Sequence, residues 1–342
     1  MSRAIRKMAT AMAERDANVT LAFEAGSAPP STNGVQWQPI RHSGARGVTV
    51  PIELDNLLRG ADLIVLFSAW VLHNVRAAAA ARRASIPYVL APRGAYHPSI
   101  LRRKQLLKRA WWLSFERKLL AEARGVHVFF ESEREHIEAL GYRGPLLVAP
   151  NGVETPQGVQ WDGGSGGYLL WIGRFDSEHK GLDLLVDSMR LLPASERPTV
   201  RLHGPDWRGG KQRLIQRIRA LGLEGWVSVG DAVYREEKWD LLHRARAFVY
   251  PSRWEAFGNS VAEAISIGVP SLVTPYPFGS YLATRGGAII ADASAAGLAA
   301  GVATVLSADT ATVGETGAAI VRRDFSWDSV ARVWLDGLRG FL

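Results

Sequence analysis

The chain contains no cysteine, which removes disulfide bridges, thiolate metal sites and cysteine nucleophiles together. It has no apolar run approaching the roughly eighteen residues that a membrane-spanning helix needs. Its first residues lack the apolar core and small-residue cleavage site of a secretory leader. No recognition-helix, zinc-finger or RNA-binding signature occurs, so nucleic acid is not an expected partner. There is no Asp-x-Asp and no His or carboxylate cluster at metal-ligand spacing, and no metal is expected. These absences fit a cytoplasmic protein.

What is present is globular. The 342 residues are 47% hydrophobic and 22% charged, enough for two domains of ordinary size and outside the range of disordered chains. The net charge is +8, and it is unevenly placed: residues 1–155 hold 21 Lys and Arg against 13 Asp and Glu, and the remainder holds 20 of each. The densest stretch is Leu101 to Lys118, where Arg102, Arg103, Lys104, Lys108, Arg109, Arg117 and Lys118 face only Glu116. Leu106, Leu107, Trp111, Trp112, Leu113 and Phe115 are interleaved with them. A basic, aromatic amphipathic helix of this kind suits an anionic membrane or acceptor, giving a peripheral location on the inner face. The plainer alternative is a solvated helix whose apolar side joins the core.

Short, nearly continuous apolar runs alternate with helical periodicity along most of the chain. Val19–Phe23, Leu63–Phe67, Tyr88–Ala91, Val126–Phe130 and Leu146–Ala149 read as strands, with helices over Leu72–Arg83, Leu106–Glu122 and Ser132–Leu140. His73, at the start of the first of these helices, reads as a capping or packing residue. Glu154 to Gly167, rich in Gly and Pro, reads as an interdomain linker. Beyond it, Tyr168–Ile172, Val200–His203, Val227–Val229, Ala247–Tyr250 and Ser271–Thr274 read as strands, alternating with helices at Leu182–Leu192, Gln212–Leu221, Glu236–Arg244 and Ser260–Ile267. Ser326 to Leu342 reads as a final amphipathic helix. The pattern predicts an α/β protein of two Rossmann-like domains, parallel sheets facing a cleft, with ligands beyond the carboxyl ends of the strands. The opening is unusual: the chain starts in a helix bearing Ile5, Met8 and Met12, as though the first strand of the N-terminal domain were missing.

Two loops carry the chemistry. After the strand Tyr168–Ile172 comes Gly173-Arg174-Phe175-Asp176-Ser177-Glu178-His179-Lys180-Gly181, which leads into a helix. Gly173 permits a sharp turn, and Arg174 and Lys180 bring cations to a helix N-terminus, a setting suited to a diphosphate. After Ala247–Tyr250 comes PSRWEAFGNSVAEA, where Glu255 and Glu263 flank a Phe257-Gly258 turn. Ser260-x-x-Glu263 reads as a capping box. Glu255 has no such local duty, and a carboxylate there suits pairs of sugar hydroxyls.

Taken together, these motifs resemble the retaining family 4 (group 1) glycosyltransferases of GT-B architecture. The resemblance runs from about Asp62 to the end and includes YVLAPRGAY (Tyr88 to Tyr96), VAPNGV (Val148 to Val153), the Gly-Arg…Lys-Gly loop and the Glu-x7-Glu pair. It implies that residues 1–155 form an acceptor-side domain and 165–325 a nucleotide-sugar domain, with 326–342 packing back on the first. It also implies a metal-independent hexosyltransferase that takes a UDP- or GDP-sugar as substrate and needs no cofactor. The acceptor would be a glycan or lipid-linked hydroxyl, as in polysaccharide synthesis, and anomeric configuration would be retained. Arg174, Lys180 and Glu255 would be catalytic: the two cations hold the diphosphate and Glu255 holds the sugar. Glu263 would take the ribose, and Gly173, Phe257, Gly258, Asn259 and Ser260 would line the donor. Arg93, Gly94, His97 and Asn151 are the acceptor-side candidates. Many members carry a histidine where Arg93 precedes Gly94, so this half departs from the pattern. The alternative is a non-catalytic nucleotide-sugar-binding relic or partner subunit with a truncated N-terminal domain. An epimerase or phosphorylase of the same architecture finds no support in the motif pair.

Overall fold

The computed structural model describes residues 3–24, 34–43, 50–307 and 310–342. The chain divides into two compact units, residues 1–152 with 327–342, and residues 153–326.

The first unit opens with a helix, Arg3–Ala13. Strands β1 (Val19–Glu24) and β2 (Val35–Ile40) pair parallel in a sheet of their own, and β3 (His42–Ser43) pairs antiparallel with β4 (Val50–Pro51). A four-stranded parallel sheet follows in the order β5 (Ile64–Phe67), β6 (Tyr88–Ala91), β7 (Gly125–Val128), β8 (Leu146–Val148). Every residue of β6 and β7 is buried, which explains their unbroken apolar sequence: both faces of the sheet are covered. Because side chains alternate along a strand, the sheet divides its residues between two cores. Leu66, Leu90, Val126 and Val128 join Leu119 and Leu120 in one of them. Val65, Phe67, Val89 and Leu147 join the other, together with Met8 and Met12 of the opening helix and Val330 and Trp334 of the C-terminal helix Trp327–Arg339.

The second unit is one six-stranded, fully parallel sheet. Its strands are β9 (Leu169–Ile172), β10 (Val200–His203), β11 (Val227–Gly230), β12 (Ala247–Tyr250), β13 (Ser271–Val273) and β14 (Ile289–Ile290). Their spatial order is β11-β10-β9-β12-β13-β14. The order runs outward from β9 in one direction and resumes at β12 on its other side, so the switch point lies between β9 and β12. In open parallel sheets, that is where a crevice forms beyond the carboxyl ends of the strands.

Several expectations need correction. The helix expected over Leu106–Glu122 is broken into Gln105–Trp111, a π-helical turn Trp112–Glu116, and Arg117–Ala121. The helix expected over Ser132–Leu140 is a 3₁₀ turn, Glu131–Glu133, followed by Arg134–Glu138. The segment Glu154 to Gly167 is no free tether: Trp161 donates its backbone N–H to the Ile267 carbonyl and its indole N–H to that of Ala245, at 2.8 and 2.7 Å. Strand β2 and the helices Pro277–Ala283, Ala295–Ser307 and Ala311–Asp324 were not expected. Among the described residues no single helix is long and apolar enough to cross a membrane.

Candidate active site

The loops after β9 and β12 are fastened to each other by backbone contacts. Gly181, at φ +63°, caps the helix Leu182–Leu191, a conformation that costs glycine little. Arg253 donates its backbone N–H to the His179 carbonyl at 3.1 Å, and the His179 Nε2 lies 3.0 Å from the Trp254 carbonyl. The His179 ring stacks on Trp254 at 3.7 Å with an interplanar angle of 5°. Arg253 also holds Asp183 through two guanidinium nitrogens, each at 2.7 Å. These contacts place the side chains of two distant loops in one cluster.

At the centre, the Lys180 ammonium makes a direct ion pair with Glu255. Tyr250, the last residue of β12, joins both: its hydroxyl lies 3.0 Å from the Lys180 Nζ and donates to the Glu255 carboxylate at 2.9 Å. The cluster is largely closed to solvent, with Lys180 8% exposed. Burial disfavours ionisation of Glu255, but Lys180, followed by His179 and the Tyr250 hydroxyl, outweighs it and holds the carboxyl below its usual range. Burial, then the neighbouring Lys180 charge, pushes His179 down to about 4, so near neutral pH its Nε2–H donates to Trp254. Burial and the Glu255 charge raise the Tyr250 phenol well above its usual range.

The other donor candidates are arranged differently. Arg174 is exposed and stacks on the Trp207 ring at 4.2 Å. Gly173 is tightly placed, since its carbonyl oxygen would lie 1.6 Å from a Cβ on Gly204. The turn at Phe257 and Gly258 begins the helix Asn259–Ser266, with Gly258 as its cap at φ +88°. This corrects the capping box: Ser260 lies inside the first turn, and Glu263 instead pairs with Lys238 at 2.9 Å. Phe257 is buried, stacking on Phe278 at 4.7 Å, and supports the turn from beneath. Glu255 has local duties after all, accepting from Tyr250 and, at 3.2 Å, from the Ala256 N–H.

In the first unit the acceptor-side candidates gather at the ends of β6 and β8. Arg93 and Gly94 both adopt positive φ, +53° and +82°. The Arg93 guanidinium donates to the Asn151 side-chain oxygen at 2.8 Å and sits over the Phe129 ring; burial pulls its pKa down to about 10. His97 accepts from the Ser99 N–H, caps the turn Pro98–Leu101, and meets His136 edge to face at 4.9 Å. His73 lies inside its helix, whose cap is Val71.

Four residues stand in these clusters that the sequence reading did not single out: Tyr250, His179, Lys238 and Glu116. Glu116 is wholly buried in the π-helical turn and accepts from the Tyr96 hydroxyl at 2.7 Å, the Trp111 indole at 2.9 Å and the Trp70 backbone N–H at 3.3 Å. It thereby ties the basic helix to the loops after β5 and β6. The available signal was its place as the lone acidic residue among the cations of Leu101 to Lys118. Leu106, Leu107 and Leu113 are exposed by 85, 66 and 62%, so these three leucines do not turn toward the core, whereas Trp112 packs against it. Among the described residues no group of three or more His, Asp or Glu side chains is placed to hold a metal.

Two family descriptions between them match most of the chain: "Glycosyl transferase 4-like domain" over residues 1–152 and "Glycosyl transferases group 1" over residues 164–317. The chain belongs to the group 1 glycosyltransferases. This glycosyltransferase is 35% identical over 154 residues to mannosylfructose-phosphate synthase of Agrobacterium fabrum, a stretch that is 42% of this chain and 33% of that protein. It is 27% identical over 265 residues to the GDP-mannose:cellobiosyl-diphosphopolyprenol alpha-mannosyltransferase of Xanthomonas oryzae, covering 74% of this chain and 67% of the relative. The structure of HepE from Anabaena, solved with UDP and glucose, superposes with a TM-score of 0.73 at 19% identity, covering 98% of this chain and 95% of HepE. The fold of this glycosyltransferase is therefore GT-B, with two Rossmann-like domains.

Proposed function

We propose that the chain transfers a hexosyl group from a UDP- or GDP-sugar to a hydroxyl of a glycan or lipid-linked acceptor, with retention of configuration and without a metal. The observation that carries this reading is the meeting of Lys180 and Glu255 at the switch point between β9 and β12. A carboxylate kept ionised there can accept from a pair of sugar hydroxyls. The ammonium beside it and the exposed Arg174 can take the charge that develops on a departing diphosphate. In the step, the acceptor oxygen forms a bond to the anomeric carbon as the bond from that carbon to the phosphate oxygen breaks. The acceptor proton passes to the departing phosphate oxygen on the same face. Two relatives whose names include GDP-mannose and a diphosphopolyprenol, and UDP with glucose, support this substrate class.

The test is a panel of nucleotide sugars assayed for nucleoside diphosphate release with glycan and polyprenyl-linked acceptors. Wild type should turn over one donor, and Lys180→Ala and Glu255→Gln should each lose roughly 100-fold or more. Equal turnover in all three proteins refutes the roles; binding without turnover of any donor would favour the non-catalytic reading.

The lipid-linked part of the proposal rests on the basic helix. Leu106, Leu107 and Leu113 project into solvent among Arg102, Arg103, Lys104 and Arg109, a composition suited to the headgroup region of an anionic bilayer. Sedimentation with phosphatidylglycerol vesicles should occur at low salt and be reversed at high salt. No binding at low salt removes the membrane from the proposal.

A further inference from the structure

Tyr276 follows β13 at the start of the helix Pro277–Ala283, and it is 3% exposed. Its hydroxyl is buried with no hydrogen-bond partner among the described residues. An orphaned buried hydroxyl costs free energy that a phenylalanine of the same shape would avoid, so packing alone does not account for the oxygen. Its surroundings do. The Tyr276 ring meets the Tyr250 ring edge to face at 5.8 Å, and the Tyr250 hydroxyl is the one bonded to Glu255. The Tyr276 hydroxyl would lie 3.4 Å from a Cβ built on Gly258, at the left-handed turn whose helix has no side-chain cap. The orphan therefore faces the turn that begins three residues after Glu255.

We infer that the Tyr276 hydroxyl is a contact for the transferred sugar, completing its hydrogen bonding against a sugar hydroxyl beside Glu255 and so helping to set which hexose is accepted. This rests on the proposed donor site. Lys180 and Glu255 satisfy each other across the two loops; a donor that draws Lys180 onto its diphosphate frees the Glu255 carboxylate, and the sugar enters between Glu255, the Gly258 turn and Tyr276. A sugar hydroxyl there supplies the partner that the described residues do not give this oxygen.

The experiment is Tyr276→Phe, read by calorimetric binding and by thermal unfolding. The ligands are UDP, GDP, UDP-glucose, UDP-galactose, UDP-N-acetylglucosamine and GDP-mannose. The variant should keep or exceed the wild-type melting temperature and bind the free nucleoside diphosphate unchanged. Its affinity for the matching nucleotide sugar should fall roughly 5- to 30-fold. Unchanged affinity for every nucleotide sugar overturns the inference, as does a lowered melting temperature with binding intact, which would make the hydroxyl structural. Binding needs no turnover, so a wild type that binds a donor without transferring it defeats the transferase reading and leaves this measurement decisive. A wild type that binds no nucleotide sugar overturns both.

Discussion

A Cβ on Gly181 would lie 1.9 Å from the carbonyl oxygen of Pro251, so the loops after β9 and β12 touch backbone to backbone where they bring Lys180 to Glu255. Gly181→Ala therefore faces two penalties, a positive φ and a clash with main chain that cannot rotate away. Gly222 isolates the first: it has φ +64° and nothing within 4 Å of its would-be Cβ. Gly222→Ala should cost about 1 kcal/mol. Gly181→Ala should cost roughly 1–3 kcal/mol more, with loss of nucleoside diphosphate binding. Paired urea melts check the difference; equal midpoints would show that the loops yield freely.

The Lys180–Glu255 pair should respond asymmetrically to mutation. Lys180→Met leaves a buried carboxylate with only hydrogen-bond donors for company, a change that typically costs about 3–5 kcal/mol. Adding Glu255→Gln should recover much of that loss, because no unpaired charge then remains. A double-mutant cycle on denaturant midpoints measures the coupling, and additive losses would contradict it.

Acid sensitivity should come in part from two buried histidines. His179 is pushed down to about 4 and His127 to about 3, in both cases chiefly by burial. His127 makes its Nε2 contact with the Ala149 carbonyl at 2.7 Å and stacks on Trp334. Unfolded imidazoles titrate near 6.5, so between that pH and the folded values the unfolded chain binds more protons. The stability of neutral His127 and His179 is thus fully present above pH 6.5 and is lost as pH falls toward 4 and 3. His127→Gln should flatten the pH dependence of the melting temperature over this window. A slope unchanged by the substitution would deny His127 its share.

Trp334 carries the docking of the C-terminal helix. It is 1% exposed and lies against His127 at 4.4 Å and Phe67 at 6.4 Å, while a Cβ on Gly152 would lie 2.3 Å from the Trp327 ring. Trp334→Ala should cost about 3–5 kcal/mol, and the loss should fall on the first unit. Two-probe melting, with hydrogen exchange of β7 and of β12, should show the first destabilised and the second unchanged. Equal loss in both strands would mean that the units do not unfold separately.

Most strands of both units were legible because parallel strands covered on both faces demand unbroken apolar runs, such as Tyr88–Ala91 and Ala247–Tyr250. Strand β2 was not, because Val35–Ile40 interleaves Gln36, Gln38 and Pro39 with its apolar residues and is mostly unburied. The single helix expected over Leu106–Glu122 failed for a different reason. Periodicity averages over a window and cannot register one inserted residue, yet a π turn there is what lets Glu116 reach Tyr96, Trp111 and Trp70.

Residue types and spacing alone determined that cations and carboxylates would stand at the carboxyl ends of two strands in a parallel sheet, because an apolar run, a glycine and a following helix are local features. Which of those groups meet is not local. Lys180 and Glu255 lie 75 residues apart, and their contact depends on β12 docking beside β9 rather than beside β11. Only the folded sheet decided that Lys180 pairs with Glu255, that Glu263 turns to Lys238, and that Tyr250, an ordinary apolar-strand residue by sequence, lends its hydroxyl to the carboxylate.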